Sequence, residues 1–140
     1  MMDIPKSLLL NNIGRGVILH STIFDSIDHG KFFVVVGVTD SEVAGFFFIN
    51  SNINKSIEAK PEQFAMQYPM KKSDYSFLRY DSFLSATRIL KLPCEKIVDS
   101  ISEGITEIIG NMKKEHMDEL LENARASRLF SNQEKKAFLY

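Results

Sequence analysis

The chain has 140 residues, of which 44% are hydrophobic and 25% charged, and its formal net charge at pH 7 is -1. A chain of this length buries about two-thirds of the surface that it exposes when unfolded, so it needs neither a metal ion nor a disulfide to fold. The near-neutral charge excludes a generally cationic nucleic-acid binder, although it allows a local basic groove.

Two features of the sequence favour a cytoplasmic protein. Cys94 has no second cysteine to pair with, which is typical of a reducing compartment. The apolar residues 8–10 are followed at once by asparagines and lack both a basic region before them and a small-residue cleavage site after them. We therefore expect neither a signal peptide nor a membrane span.

Three strands are predicted in the first 50 residues. Residues 14–20 begin with a glycine turn, and residues 31–38 are apolar at successive positions, which indicates a strand covered on both faces. Residues 43–50 follow a tight polar turn, so an antiparallel hairpin is the simplest pairing. Gly37 and Gly45 lie inside these runs, where glycine often marks a bulge or a sharp bend.

The next part of the chain is predicted to hold an exposed loop and three short strands. Residues 51–56 are polar and without periodicity, as an exposed loop would be. Short strands are predicted at residues 64–68 and 75–78, with a basic turn between them. A last strand is predicted at residues 87–92, where polar and apolar residues alternate.

After Pro93 the hydrophobic period becomes helical. Four isoleucines recur at helical spacing and predict a helix that ends at Gly110: Ile97, Ile101, Ile105 and Ile108. Asn111 is predicted to cap a second helix, whose apolar stripe has four members: Met117, Leu120, Leu121 and Ala124. Ser131 and Glu134 match the capping-box pattern and predict a short further helix.

These elements predict a mainly β member of the α+β class. We expect one domain of residues 1–140, with a small, strongly bent antiparallel sheet or barrel in residues 1–92. Residues 93–140 are expected to form a helical part packed at one end of that sheet.

The sequence contains no strong local motif for nucleotide, metal or nucleophile chemistry. A looser polar set remains: Arg15, His20, His29, Lys31, Asn50, Ser51, Asn52, Asn54 and Lys55. Because residue 31 begins one strand of the hairpin and Asn50 ends the other, Lys31 and Ser51 are expected at the same edge of the sheet. The alternative is that Asn50, Ser51 and Asn52 only form turns and caps, and that Lys31 is an exposed strand start.

Three segments together resemble one known family. The first is Gly16-Val17-Ile18-Leu19 followed by the strand that starts at Lys31, the second is Phe48-Ile49-Asn50-Ser51, and the third runs over residues 109–117. In this order they resemble the PemK/MazF family of toxin endoribonucleases, which has an Arg-Pro-Ala-Leu-Val strand, a strand that ends in Ser or Thr, and a closing helix. Here Gly30-Lys31 stands in place of Arg-Pro.

The resemblance implies a small SH3-like barrel with C-terminal helices and cleavage of single-stranded RNA by attack of the 2′-hydroxyl, without a metal or other cofactor. It gives Lys31 an electrostatic role toward the scissile phosphate and Ser51 a hydrogen-bonding role, with His20 and His29 as candidates for proton transfer. The residues expected to bind the substrate are Arg15, His20, His29, Asn50, Asn52 and Lys55. The expected partners are RNA, an antitoxin segment and a second copy of the chain, with no membrane.

A second hypothesis keeps the barrel without the chemistry. Lysine lacks the bidentate fork of arginine, which holds a phosphate in a fixed geometry. A non-catalytic module would bind a peptide or nucleic acid through the same groove. A third hypothesis assigns the helical part to oligomerisation or partner docking.

Overall fold

The fold is built on an antiparallel sheet whose strands come from most of the chain. The computed structural model describes residues 5–24 and 30–140. Its strands are β1 (Val17–Ser21), β2 (Lys31–Val38), β3 (Val43–Asn50), β4 (Gln67–Met70), β5 (Ser82–Ser85), β6 (Leu90–Pro93) and β7 (Thr106–Asn111). Its helices are α1 (Lys6–Asn12), α2 (Lys55–Glu58), α3 (Pro61–Phe64), α4 (Cys94–Ser102), α5 (Lys114–Ala126) and α6 (Asn132–Glu134), followed by a π-helical turn at Lys135–Leu139.

The sheet has seven strands in the order β4-β5-β3-β2-β1-β7, and β6 also pairs with β3. One edge of β3 binds β2, while its other edge binds β6 from Val43 to Phe46 and β5 at Ile49 and Asn50. The predicted α+β class and antiparallel pairing are confirmed. Within the described residues no pairing joins β7 to β4 or to β6, so the sheet is not closed.

Both faces of the central hairpin are buried, because alternate side chains of β2 and β3 point to opposite sides. On one face Phe33 and Phe46 pack with Leu9 of α1 and Ile97 of α4. The other face carries a second core. The prediction that the second strand is covered on both faces is therefore confirmed.

The second core lies on the opposite face of the same hairpin. There Val34 and Phe47 pack with Leu120 of α5 and Leu139 of the π-helical turn. Each of these four residues is at most 1% exposed. Helices therefore cover the central hairpin from both sides.

Two glycines make room for the π-helical turn. Gly37 and Gly45 face each other across β2 and β3, and the register shifts between Val35 and Gly37, as the predicted bulge requires. A Cβ atom on Gly37 would overlap the main-chain oxygen of Phe138, and one on Gly45 would lie 2.5 Å from the Phe138 ring. We call Gly37 and Gly45 the glycine socket, because the π-helical turn lies directly on their bare Cα atoms.

A chain of buried hydroxyl groups fixes the end of β1. Thr106 of β7 donates a 2.6 Å hydrogen bond to Ser21 and lies 2.7 Å from the Ser100 hydroxyl of α4. Ser100 in turn donates to the carbonyl oxygen of Ile97. Because Ser21 is opposite Lys31 in the sheet register, this network also holds the position where β2 begins.

The predicted helix through Gly110 is wrong in its second half. α4 ends at Ser102, and Gly104 adopts a φ of +77°, a conformation that terminates helices. Ile105 and Ile108, which completed the helical spacing, are 38% and 43% exposed, and Ile108 belongs to strand β7. Residues 93–140 therefore contribute a strand, paired with β1, as well as helices.

The strand predicted at residues 75–78 is also wrong, because these residues form turns. Their aromatic side chains anchor a loop: the Tyr75 hydroxyl accepts a hydrogen bond from the Lys113 amide and lies 2.8 Å from Nδ1 of His116. The strand predicted at residues 64–68 is shifted to β4, and that at residues 87–92 is shortened to β6.

Three further comparisons with the sequence concern the helices. α1 was not predicted, although its Leu9 is buried. α5 is confirmed, but its N-cap is Lys113, and Asn111 instead ends β7. The capping box of Ser131 and Glu134 is present in both directions, as predicted.

Candidate functional site

A groove of about 360 Å³ opens where β1 and β3 end and β2 begins. We call it the strand-end groove. Four of the predicted site residues line it: His20, Lys31, Asn50 and Ser51. Its volume lies within the range of about 300–1,000 Å³ that is typical of ligand sites. The antiparallel hairpin brings these residues together as expected, because the start of β2 and the end of β3 are at one edge.

Lys31 is a half-buried cation with two neighbours that orient it. Its Nζ atom donates a hydrogen bond to Oδ1 of Asn50 and lies 5.3 Å from the centre of the Phe48 ring. Both contacts are favourable for an ammonium group. Burial lowers the pKa of the amine from its ordinary value of 10.5. A cation that has lost part of its hydration interacts more strongly with an anion than an exposed one does.

The loop between β4 and β5 supplies the other wall. Arg79 and Tyr80 are exposed there, and the Tyr80 side chain is 66% accessible. Ser51, also exposed, is the first residue after β3, and the pairing of Asn50 with Phe83 brings it beside this loop. An exposed tyrosine next to an arginine offers a stacking surface and a charge at the same place.

The charges of the strand-end groove have one sign. Of its described lining residues, Lys31 and Arg79 carry positive charge and none is Asp or Glu. Arg79 forms no ion pair within residues 5–24 and 30–140. In a chain with 17 basic and 18 acidic residues, this is a local separation of charge, and it favours an anionic ligand.

His20 and Gly30 are in close contact at the floor of the groove. Gly30 has a φ of +81°, and a Cβ atom on it would lie 2.5 Å from Cε1 of the His20 ring. The His20 ring also packs on Phe32, with 4.6 Å between ring centres. A residue with a side chain at position 30 would be strained by the positive φ, and its Cβ atom would collide with the His20 ring. The glycine is therefore part of how this site is built.

The remaining predicted site residues lie elsewhere. The Arg15 guanidinium donates hydrogen bonds to the main-chain oxygens of Val36, Phe138 and Tyr140, and it thereby holds the π-helical turn on the sheet. Asn52 is exposed beyond the groove, and Lys55 begins α2.

His29 and Asn54 complete the predicted polar set. His29 lies outside the described residues. Asn54 caps α2 by accepting a hydrogen bond from the Ser56 amide, so its side chain has a local structural role. The segment of residues 51–56, predicted to be an exposed loop, thus already contains the start of a helix.

Sequence reasoning missed Arg79 and Tyr80. The signal was present, because residues 77–80 read Phe-Leu-Arg-Tyr, an aromatic and basic mixture typical of nucleic-acid surfaces. The predicted strand of residues 75–78 covers the first half of this segment, and Arg79 and Tyr80 were given no role.

Over residues 5–24 and 30–140, no three His, Cys, Asp or Glu side chains are grouped as metal ligands would be. In the same part of the chain, no helix has the length and apolar character needed to cross a membrane. No model of a known protein family matches the chain, and comparison with curated proteins gave no match.

Proposed function

We propose that this protein is an endoribonuclease of the PemK/MazF type, which binds single-stranded RNA in the strand-end groove and cleaves it without a metal ion. The observation that carries the proposal is the content of that groove. It combines a partly dehydrated lysine, an exposed serine, an imidazole and an arginine, with no carboxylate among its described lining residues. This set suits a phosphodiester better than it suits a cationic or neutral ligand.

The proposed reaction is a displacement at phosphorus. The ribose 2′-oxygen forms a bond to the adjacent phosphorus while the bond from phosphorus to the 5′-oxygen breaks. The products are a 2′,3′-cyclic phosphate and a 5′-hydroxyl end. One proton leaves the 2′-hydroxyl and one is added to the 5′-oxygen, so no oxidant or other reactant is needed.

Three side chains have roles in this reaction. The Lys31 ammonium stabilises the negative charge that grows on the phosphoryl oxygens, and the Ser51 hydroxyl donates a hydrogen bond to one of them. His20 is the imidazole within the described groove that can transfer a proton. Tyr80 offers its exposed face to a base.

The proposal includes the wider features of the family. A small SH3-like barrel is supported by β3, which binds β2 on one edge and both β5 and β6 on the other. We further propose a cytoplasmic homodimer whose groove is blocked by an antitoxin segment. An acidic segment would complement Lys31 and Arg79.

One observation favours the non-catalytic alternative. The Lys31 amine already donates to Asn50, and a lysine cannot grip two phosphoryl oxygens as an arginine fork does. A module of this kind would bind a peptide or nucleic acid in the strand-end groove and release it unchanged. Binding without cleavage distinguishes the two functions.

The test is incubation of the full chain with mixed-sequence single-stranded RNA, in chelator and in added magnesium, beside Ser51→Ala. We expect cleavage in both buffers and a rate about a hundredfold lower in Ser51→Ala, the usual cost of removing one donor to a developing oxyanion. Ser73→Ala is the matched control, because Ser73 is exposed and does not line the groove. Thermal melting confirms that both variants are folded.

The outcomes separate the hypotheses. Equal cleavage by Ser51→Ala and Ser73→Ala would show that the strand-end groove is not the reaction site. Intact RNA in every lane, together with RNA binding, would establish the non-catalytic module. A requirement for magnesium would contradict the proposed mechanism.

A further inference from the structure

A second groove, of about 550 Å³, adjoins the strand-end groove. The two grooves meet at Asn50, which lines both. Phe48 also lines the second groove, and it is the ring beneath the Lys31 amine. The residues that hold the Lys31 amine therefore form the boundary between the two grooves. We call the second one the Arg88 groove.

The Arg88 groove has the same charge as its neighbour. Arg88 is exposed and forms no hydrogen bond or ion pair through its side chain with any other described residue. Gln63 and Thr87 add polar side chains, and Leu129 adds an apolar wall. No acidic residue is among the described lining residues of this groove either. Lys31 and Arg79 thus line one groove and Arg88 lines the other, and no acidic residue is among the described lining residues of either.

An unpaired guanidinium in an open groove is well suited to a phosphate group. Its planar fork matches two phosphoryl oxygens, and it stays charged at every physiological pH. A chain that places one phosphate at Lys31 and continues over Asn50 would enter the groove that Arg88 lines. A polyanion with regularly spaced charges fits this arrangement better than an isolated anion does.

We propose that the Arg88 groove is a second RNA subsite, which binds a phosphate and nucleotide flanking the one held at Lys31. This inference rests on the proposed function, because it takes RNA as the ligand of the strand-end groove. Arg88 binds backbone phosphate there, while Gln63 and Thr87 face the sugar or base. Arg88 is a binding residue for longer substrates and takes no part in the reaction itself.

The test uses single-stranded RNA with 2′-O-methyl groups, which lacks the attacking hydroxyl and is bound without being cleaved. Affinities of the full chain for a 12-nucleotide and a 3-nucleotide oligomer are measured over a range of salt. Arg88→Gln should bind the 12-mer about tenfold more weakly, the loss expected for one charged hydrogen bond. Its plot of log affinity against log salt should be shallower by about 0.7, the value for one phosphate contact on a single strand.

Two controls and a second variant make the result specific. Arg128→Gln removes an exposed arginine outside both grooves and should behave as the wild type. Affinity for the 3-mer should be unchanged in Arg88→Gln and lost in Lys31→Ala. Arg88→Lys keeps the charge and should retain the salt dependence.

The possible results separate the two proposals. If Arg88→Gln binds the 12-mer as the wild type does while Lys31→Ala does not, the second subsite is wrong and the strand-end groove stands. An equal loss for the 12-mer and the 3-mer would also overturn it, because Arg88 would then belong to the first site. If the wild type binds neither oligomer at low salt, the proposed function itself fails.

Discussion

Replacing Lys31 by methionine is expected to lower the rate of RNA cleavage by about a thousandfold while the protein stays folded. Methionine matches the length of the lysine stem and can lie against Phe48, so packing is kept and only the charge is removed. The rate is measured under single-turnover conditions with an end-labelled RNA. Lys96→Met is the matched control, because Lys96 is an exposed lysine of α4 and lines neither groove. A rate within a few-fold of the control would contradict the role of Lys31.

The pH dependence of RNA binding gives the same residue a second test. Burial lowers the pKa of the Lys31 amine below its ordinary value of 10.5, so the amine loses its charge at a lower pH than a free lysine. Affinity for 2′-O-methyl RNA should therefore fall as the pH rises through that lowered pKa and recover when the pH is returned.

The variant Lys31→Arg separates this titration from a general effect of alkali. Its guanidinium stays charged over the whole range, so its affinity should stay level where that of the wild type falls. If both proteins lose affinity together, the titrating group is not Lys31. The same variant also shows whether an arginine fork at position 31 increases the cleavage rate.

Replacing Gly37 by alanine is expected to lower the free energy of unfolding by about 3 kcal/mol or more. The new Cβ would overlap the main-chain oxygen of Phe138, and a main-chain atom, unlike the end of a flexible side chain, cannot rotate away. The π-helical turn would have to lift from the sheet. Phe138 and Leu139 would then lose their burial, and Arg15 would lose its hydrogen bond to Phe138.

Chemical denaturation of Gly37→Ala beside Gly110→Ala measures this effect. Gly110 is the matched control, because it also lies in a strand and a Cβ atom there meets nothing within 4 Å. Hydrogen exchange should show loss of protection in residues 135–140 of Gly37→Ala. If the two variants are equally stable, the glycine socket does not hold the turn.

The central hairpin was predictable from sequence because its signals are local. The bounds of β2 and β3 match the prediction, since two apolar runs are separated by a short polar turn. The four isoleucines after Pro93 fit a helical period equally well, but the second pair follows Gly104. β7 is fixed by its pairing with β1 and by the bond from Thr106 to Ser21, partners 85 residues away in sequence.

The same distinction applies to the site. Lys31, Asn50 and Ser51 could be placed together because one hairpin joins them. Arg79 and Arg88 reach the grooves only because β5 pairs with the end of β3. No local sequence pattern predicts this contact between distant segments. Arg15 was read as a substrate-binding residue, whereas its side chain binds main-chain oxygens up to 125 residues away.

The glycine socket also determines when, during folding, the π-helical turn can dock on the sheet. The turn around Phe138 that packs on the socket comes about 100 residues after Gly37 in sequence. The hydrogen bond from Arg15 to the main-chain oxygen of Phe138 joins residues that are 123 positions apart. Contacts of such long sequence separation form slowly, because the entropy of closing the intervening loop is lost before the contact is gained. On the ribosome, the hairpin that carries Lys31 and Asn50 is therefore made well before the turn that docks on it, and the glycine socket stays unoccupied until residue 138 has emerged.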